Sequence, residues 1–268
     1  MESVNSKWKN WVIQSLLRGQ PPAAIARTLD DNGFCPEVIQ RLLGSNLPQS
    51  FTFRCPPSRY QALTTPAFLR NKRTDVTALC DTSRLQLYAI DGFLSTDECE
   101  GIMALSRQKL KPSEVAGAQS ADGIRTSTTC DLAFLSDQRV AALEQKIVDT
   151  LGLGVGENEV IQAQHYAPGQ FYKAHYDFFP PGTDQFKADC IRRGQRTWTC
   201  MIYLNDNFAD GHTTFTRMKL SVKPKQGTAL IWNNLLATGE PNLNSIHFAE
   251  PVSDGSKMVV TKWFRDKN

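Results

Sequence analysis

The hydrophobic positions change their period along the chain. Between residues 6 and 44 they recur at helical spacing, with Trp8, Trp11, Val12 and Leu16 on one face. A Gly-Gln-Pro-Pro break at 19–22 ends that helix. Two shorter helical segments follow, over 23–29 and 36–43, parted by Asn32-Gly33. Residues 45–84 are rich in Pro, Ser, Thr and Arg and keep no period, so they read as a connecting segment. From Leu85 the pattern alternates, predicting a strand over 85–91 that ends in a Gly92-Phe93-Leu94 turn. Ser95 with Glu98 forms a capping box and starts a helix running to about Leu110. Val140, Leu143, Ile147 and Leu151 mark an amphipathic helix over 138–151. After Gly156 the chain becomes a run of short strands, near 159–166, 171–178, 197–204, 213–216, 220–223, 228–233, 244–248 and 257–265.

This order predicts an α+β protein, mainly β, with helices flanking a sandwich or closed double sheet. Three segments follow from it: a helical N-terminal segment or mini-domain at 1–45, a connecting segment at 46–84, and the main domain at 85–268. The N-terminal helices are either an extension packed on the main domain or a module that recruits a protein partner. So small a unit is marginal alone, which favours the extension.

Composition narrows the class. With 41% hydrophobic and 21% charged residues, the chain has the means to bury a sizeable core. A net charge of +3, from 30 basic and 27 acidic residues, argues for neither nucleic acid nor an anionic membrane. No apolar run approaches the ~20 residues of a membrane span. The N-terminus lacks the apolar stretch and small-residue cleavage site of a secretory signal. Seven cysteines at irregular spacing, without a CxxC pair, read as reduced thiols and a cytoplasmic location.

The chemistry concentrates in Phe171-Tyr-Lys-Ala-His175-Tyr-Asp177. In a strand, residues i and i+2 share a face, so His175 and Asp177 can bind one metal together. His247, about seventy residues on, supplies a third donor. Two imidazoles and one carboxylate that leave other positions open are the ligand set of non-haem iron(II) oxygenases. Lys257, ten residues beyond His247, can return beside the metal and pair with a distal carboxylate of 2-oxoglutarate. Taken singly, a His-x-Asp pair can be structural and a lysine near a turn can be solvated. His212 falls in a turn and His165 points away from Tyr166, so neither is read as a ligand.

In its motifs the segment from about 85 to 265 resembles the prolyl 4-hydroxylase group of 2-oxoglutarate oxygenases. The resemblance rests on an ordered set. It runs from Ile90-Asp-Gly-Phe-Leu-Ser through Ile124-Arg-Thr-Ser127 to the block Gln164–Asp177, then Gly194-Gln-Arg196, Ala229-Leu-Ile-Trp-Asn233, His247, Lys257 and Lys262-Trp263. It implies a double-stranded β-helix (jelly-roll or cupin-like) core. It implies Fe(II) on His175, Asp177 and His247, and 2-oxoglutarate on Lys257 and Tyr166. Dioxygen is the second cosubstrate and ascorbate a candidate reductant. Arg196, Trp263 and, more weakly, Tyr172 match positions that contact substrate. The implied activity is hydroxylation of an unactivated C–H bond, foremost of a prolyl residue in a peptide or protein. Another side chain, a free amino acid or a small metabolite is the alternative substrate. Asp210-Gly-His-Thr213 departs from the family's Gly-Gly-Glu-Thr. A zinc hydrolase on the same ligands, or a non-catalytic peptide-binding module, are the other readings. Neither gives Lys257 a role. The Pro- and Gly-rich stretch 178–193 reads as a long loop that could cover the substrate.

Overall fold

The computed structural model describes residues 4–113, 123–153 and 159–267; the expected boundary at Gly156 lies outside them. The N-terminal helices start where the sequence places caps and prolines. Asn5 Oδ1 accepts the Trp8 N–H at 3.1 Å and opens α1 (Ser6–Leu17). Pro22 and Pro36 occupy the first turns of α2 (Pro22–Asp31) and α3 (Pro36–Leu43).

The stretch read as a connection holds more structure than its texture announced. It contains α4 (Pro57–Leu63), α5 (Ala67–Arg70) and β1 (Val76–Ala78), which pairs antiparallel with β2 (Leu87–Ile90). Pro56, Pro57 and Pro66 sit at helix starts, where no N–H is missed. The capping box at α6 (Thr96–Arg107) is complete. Glu98 N–H donates to Ser95 Oγ at 3.2 Å, and Ser95 N–H donates to Glu98 Oε2 at 2.7 Å. Next come β3 (Lys111–Pro112), β4 (Thr128–Asp131), α7 (Gln138–Leu151), β5 (Gln162–Tyr166) and β6 (Tyr172–His175).

The strand expected over 171–178 stops at His175, because its partner strand begins opposite that residue and offers no ladder beyond it. Asp177 therefore lies in the bend that follows. The stretch 178–193 is not one long loop either. It carries α8 (Asp184–Arg193), started by Thr183 Oγ1 accepting the Phe186 N–H at 3.2 Å. The remaining strands are β7 (Arg196–Tyr203), β8 (Ala209–Asp210), β9 (Thr213–Phe215), β10 (Leu220–Val222), β11 (Ala229–Asn233), β12 (His247–Ala249), β13 (Val252–Asp254) and β14 (Lys257–Arg265).

The strands form an eight-stranded sheet, ordered β1-β2-β11-β7-β14-β5-β4-β3, and a four-stranded sheet, ordered β10-β9-β12-β6. All pairings are antiparallel. Strands β8 and β13 form a small third pair. Facing sheets of this kind make a double-stranded β-helix.

Alternation then sorts the side chains of the large sheet. One face sends Cys200, Ile202, Ala229, Ile231, Met258 and Val260 into a core shared with Ile102, Leu143 and Ile147 of the flanking helices. The same core continues to Ile25, Leu29 and Ile39 of the N-terminal helices. The other face sends Met201, Tyr203, Leu230, Trp232 and Val259 against Phe215 of the small sheet. Both faces being covered, β11 and β14 are buried at every residue. No described helix is long and apolar enough to cross a membrane.

Candidate metal centre and cosubstrate pocket

The site lies between the two sheets. His175 ends β6 and His247 opens the neighbouring β12, opposite it in register. Their rings approach to 4.3 Å between centroids. Asp177 reaches the same point from the bend, with Oδ1 3.8 Å from His175 Nε2. The donor atoms of the three residues all lie within 4.8 Å of one another. The i, i+2 spacing thus brings His175 and Asp177 together, although the strand does not extend to the aspartate.

Each donor is aimed by a second hydrogen bond. His175 Nδ1 donates to Lys173 O at 2.8 Å, and His247 Nδ1 donates to Ser245 O at 2.9 Å. A carbonyl can only accept, so in each neutral ring the proton sits on Nδ1 and the Nε2 lone pair is free to ligate. Burial, then the neighbouring His247, pushes His175 down to about 3. The neutral, ligating ring is therefore the resting form. Asp177 Oδ2 accepts from Thr199 Oγ1 at 2.7 Å, which leaves Oδ1 toward the imidazoles. Thr199 Oγ1 accepts in turn from Asn234 Nδ2 at 2.9 Å, and Asn234 Oδ1 accepts from Trp232 Nε1 at 3.1 Å. Burial opposes ionisation of Asp177. Attraction to His247 and His175 in their protonated forms and to Arg196, with the Thr199 hydrogen bond, outweighs it and holds the carboxyl below its usual range. Two imidazoles and one carboxylate, oriented toward a common point, fit a divalent ion.

Lys257 is the first residue of β14 and is 1% exposed. Its Nζ donates to Gly211 O at 2.6 Å. Among the described residues it has no ion-pair partner, and burial pushes its ammonium down to about 7. A buried ammonium with one neutral acceptor is electrostatically incomplete and would be completed by an anion. Lys257, Val259, Thr261 and Trp263 alternate along β14 onto the inter-sheet face. With Gln164, Tyr166, Trp232 and the metal triad, they line one narrow cavity of about 30 Å³.

Residues 161–265 match the 2OG-Fe(II) oxygenase superfamily. Probable prolyl 4-hydroxylase 6 of Arabidopsis thaliana is 32% identical over 258 residues, covering 88% of this chain and 82% of its own length. The chain belongs to the prolyl 4-hydroxylase-like 2OG-Fe(II) oxygenases. Prolyl 4-hydroxylase subunit alpha-1 of Mus musculus is 33% identical over 179 residues, covering 65% of this chain, which spans only 33% of that subunit. The viral collagen prolyl hydroxylase of Paramecium bursaria Chlorella virus-1, in its 2OG complex, shares the fold. Its TM-score is 0.50 at 24% identity, over 69% of this chain and 97% of that one.

Within this oxygenase, Tyr166 stands beside the lysine, with Lys257 Nζ 5.4 Å from its ring, and its hydroxyl donates to Gln164 Oε1 at 3.1 Å. Tyr172 stacks on His175 at 3.6 Å and 15°, so it buttresses a ligand as well as walling the site. An outer cavity of about 350 Å³ opens beyond the metal triad, lined in part by Arg125, Tyr172, Phe179, Arg196 and Trp263. Arg196 lies on this wall, but Glu159 pairs with one edge of its guanidinium through two hydrogen bonds, with Arg196 Nε to Glu159 Oε1 at 2.6 Å. The guanidinium also lies 4.1 Å over the Trp263 ring. Arg196 therefore shapes the wall rather than offering a free charge. Trp263 borders both cavities, and its indole N–H has no partner among the described residues.

His212 and His165 stand apart from the metal cluster, as read from sequence. Glu159, Thr199 and Asn234 gave no signal in the sequence, because a single buried polar residue has no period to reveal it. Arg125 lay inside the recognised Arg-Thr-Ser segment, yet only the fold shows it over the Tyr172 ring, at 5.0 Å.

Proposed function

We propose that this chain is an iron(II)- and 2-oxoglutarate-dependent hydroxylase acting on a prolyl residue of a peptide or protein. The observation that carries the reading is Lys257. It is a buried ammonium with no ion-pair partner among the described residues, set in the same cavity as two imidazoles and a carboxylate aimed at one point. Neither a zinc hydrolase nor a binding module has use for it.

His175, Asp177 and His247 would hold the metal, and Lys257 the distal carboxylate of the keto acid. The bound metal and keto acid would supply the electrons that reduce and so activate dioxygen, the oxidant for attack on a C–H bond. The chain orients both groups and excludes water, through the inter-sheet apolar face of Met201, Trp232 and Val259. The outer cavity is bordered by Tyr172, Tyr176, Phe178, Phe179 and Trp263, a lining suited to an apolar ring. The names of the relatives point to the same substrate class.

Anaerobic addition of iron(II) and then 2-oxoglutarate to metal-free protein should produce a visible metal-to-keto-acid charge-transfer band. The band should be absent in His175→Ala and weakened in Lys257→Ala. Succinate release with mass gain on a proline-containing peptide would complete the assignment. Tight zinc retention without a band would defeat it.

A further inference from the structure

The wall of the outer cavity is fastened from outside by the N-terminal helices. Phe178, Phe179, Pro180 and Gln185 line that cavity. A few residues along the same segment, both backbone polar atoms of Gly182 are taken. Its N–H donates to Asn32 O at 2.8 Å, and its carbonyl accepts the Trp8 indole N–H at 3.2 Å. The approach is close enough to require glycine on both sides. A Cβ at Gly182 would lie 2.2 Å from Trp8 Nε1, and one at Gly33 would lie 2.1 Å from the Phe186 ring. Trp8 is itself held edge-on by Trp11 at 5.5 Å and by Phe34 at 5.2 Å.

The inner side of the same wall is gripped by Gln195. Phe179 N–H donates to Gln195 Oε1 at 2.8 Å, and Gln195 Nε2 donates to Phe179 O at 2.6 Å. The Phe179 ring lies 5.0 Å from the Arg196 guanidinium, which covers the Trp263 ring. A continuous set of packed and hydrogen-bonded groups therefore runs from α1 and α2 to the edge of the reaction site.

We propose that the N-terminal helices are a positioning element for the substrate. Through Trp8, Asn32 and Gly33 they fix the wall around 178–186 and so set how tightly a peptide seats in the outer cavity. Trp8 acts through that wall and touches no reacting group. The kinetic part rests on the hydroxylase reading; the structural part does not.

The test uses the full chain with Trp8→Phe, which keeps a ring and loses the N–H, and Trp8→Ala, which loses both. Hydrogen exchange is followed at residues 178–186, with β14 as internal reference. Steady-state kinetics use poly(L-proline) and 2-oxoglutarate. Trp8→Ala should speed exchange at 178–186 about tenfold while β14 holds. It should raise KM for poly(L-proline) about tenfold, leaving kcat and the KM for 2-oxoglutarate in place. Trp8→Phe should fall between the two proteins. Unchanged exchange at 178–186 would overturn the proposal whatever the substrate proves to be. Faster exchange with unchanged KM would overturn the seating role. A wild-type protein with no turnover of any proline peptide would count against the hydroxylase reading alone, and the exchange result would still decide whether the helices hold the wall.

Discussion

Lys257 shows how one side chain carries both the chemistry and a pH dependence. Burial sets its ammonium at about 7, against an ordinary lysine value of 10.5. At pH 8 most of the unliganded protein therefore has a neutral Lys257, and the bound keto acid requires the charged form. Binding of 2-oxoglutarate at pH 8 should take up about one proton, and affinity should fall by up to about tenfold per pH unit above 7. Calorimetry in buffers of different ionisation enthalpy measures the uptake; zero uptake would remove Lys257 from the carboxylate. The sign for stability follows from the same shift. Between about 7 and 10.5 the unfolded chain binds more protons at this group than the folded one, so its contribution raises stability as pH rises through that window.

At the level of elements, the metal site depends on strand pairing more than on any one strand. Strands β7 and β11 are neighbours in the large sheet, with Trp232 opposite Thr199. That pairing lets Trp232, Asn234 and Thr199 form a chain of hydrogen bonds ending on Asp177 Oδ2. Asp177 has left β6, so this chain replaces the ladder as the element that holds it. Thr199→Val keeps the shape and removes the donor, and metal affinity should fall about 10–100-fold. Thr199→Ser should restore most of it. Competition titration with a fluorescent chelator reads both; equal affinity in all three proteins would make the chain merely structural.

Across the whole molecule, the N-terminal helices and the oxygenase core bury one continuous apolar surface. Ile25, Leu29 and Ile39 are at most 1% exposed within it. Expression from residue 46 should therefore give protein that aggregates or melts well below the full chain, by thermal scanning and gel filtration; a monomer of unchanged Tm would show the two parts to be independent. Much of this architecture was legible in the sequence, because period and caps are local. The helix over 138–151, the capping box at Ser95 and Glu98, and the alternation of His165 and Tyr166 needed no tertiary information. His175 and Asp177 were legible from their i, i+2 spacing, whereas His247, about seventy residues on, and Lys257 were legible through the ordered set of motifs they share with the family. The tertiary structure alone decided the rest. It stopped β6 at His175 for want of a ladder partner and made a helix of 184–193. It paired Glu159 with Arg196, and it brought Trp8 against Gly182, 174 residues away. Such contacts join segments far apart in the chain, and no local period encodes which distant partner a buried polar group will find.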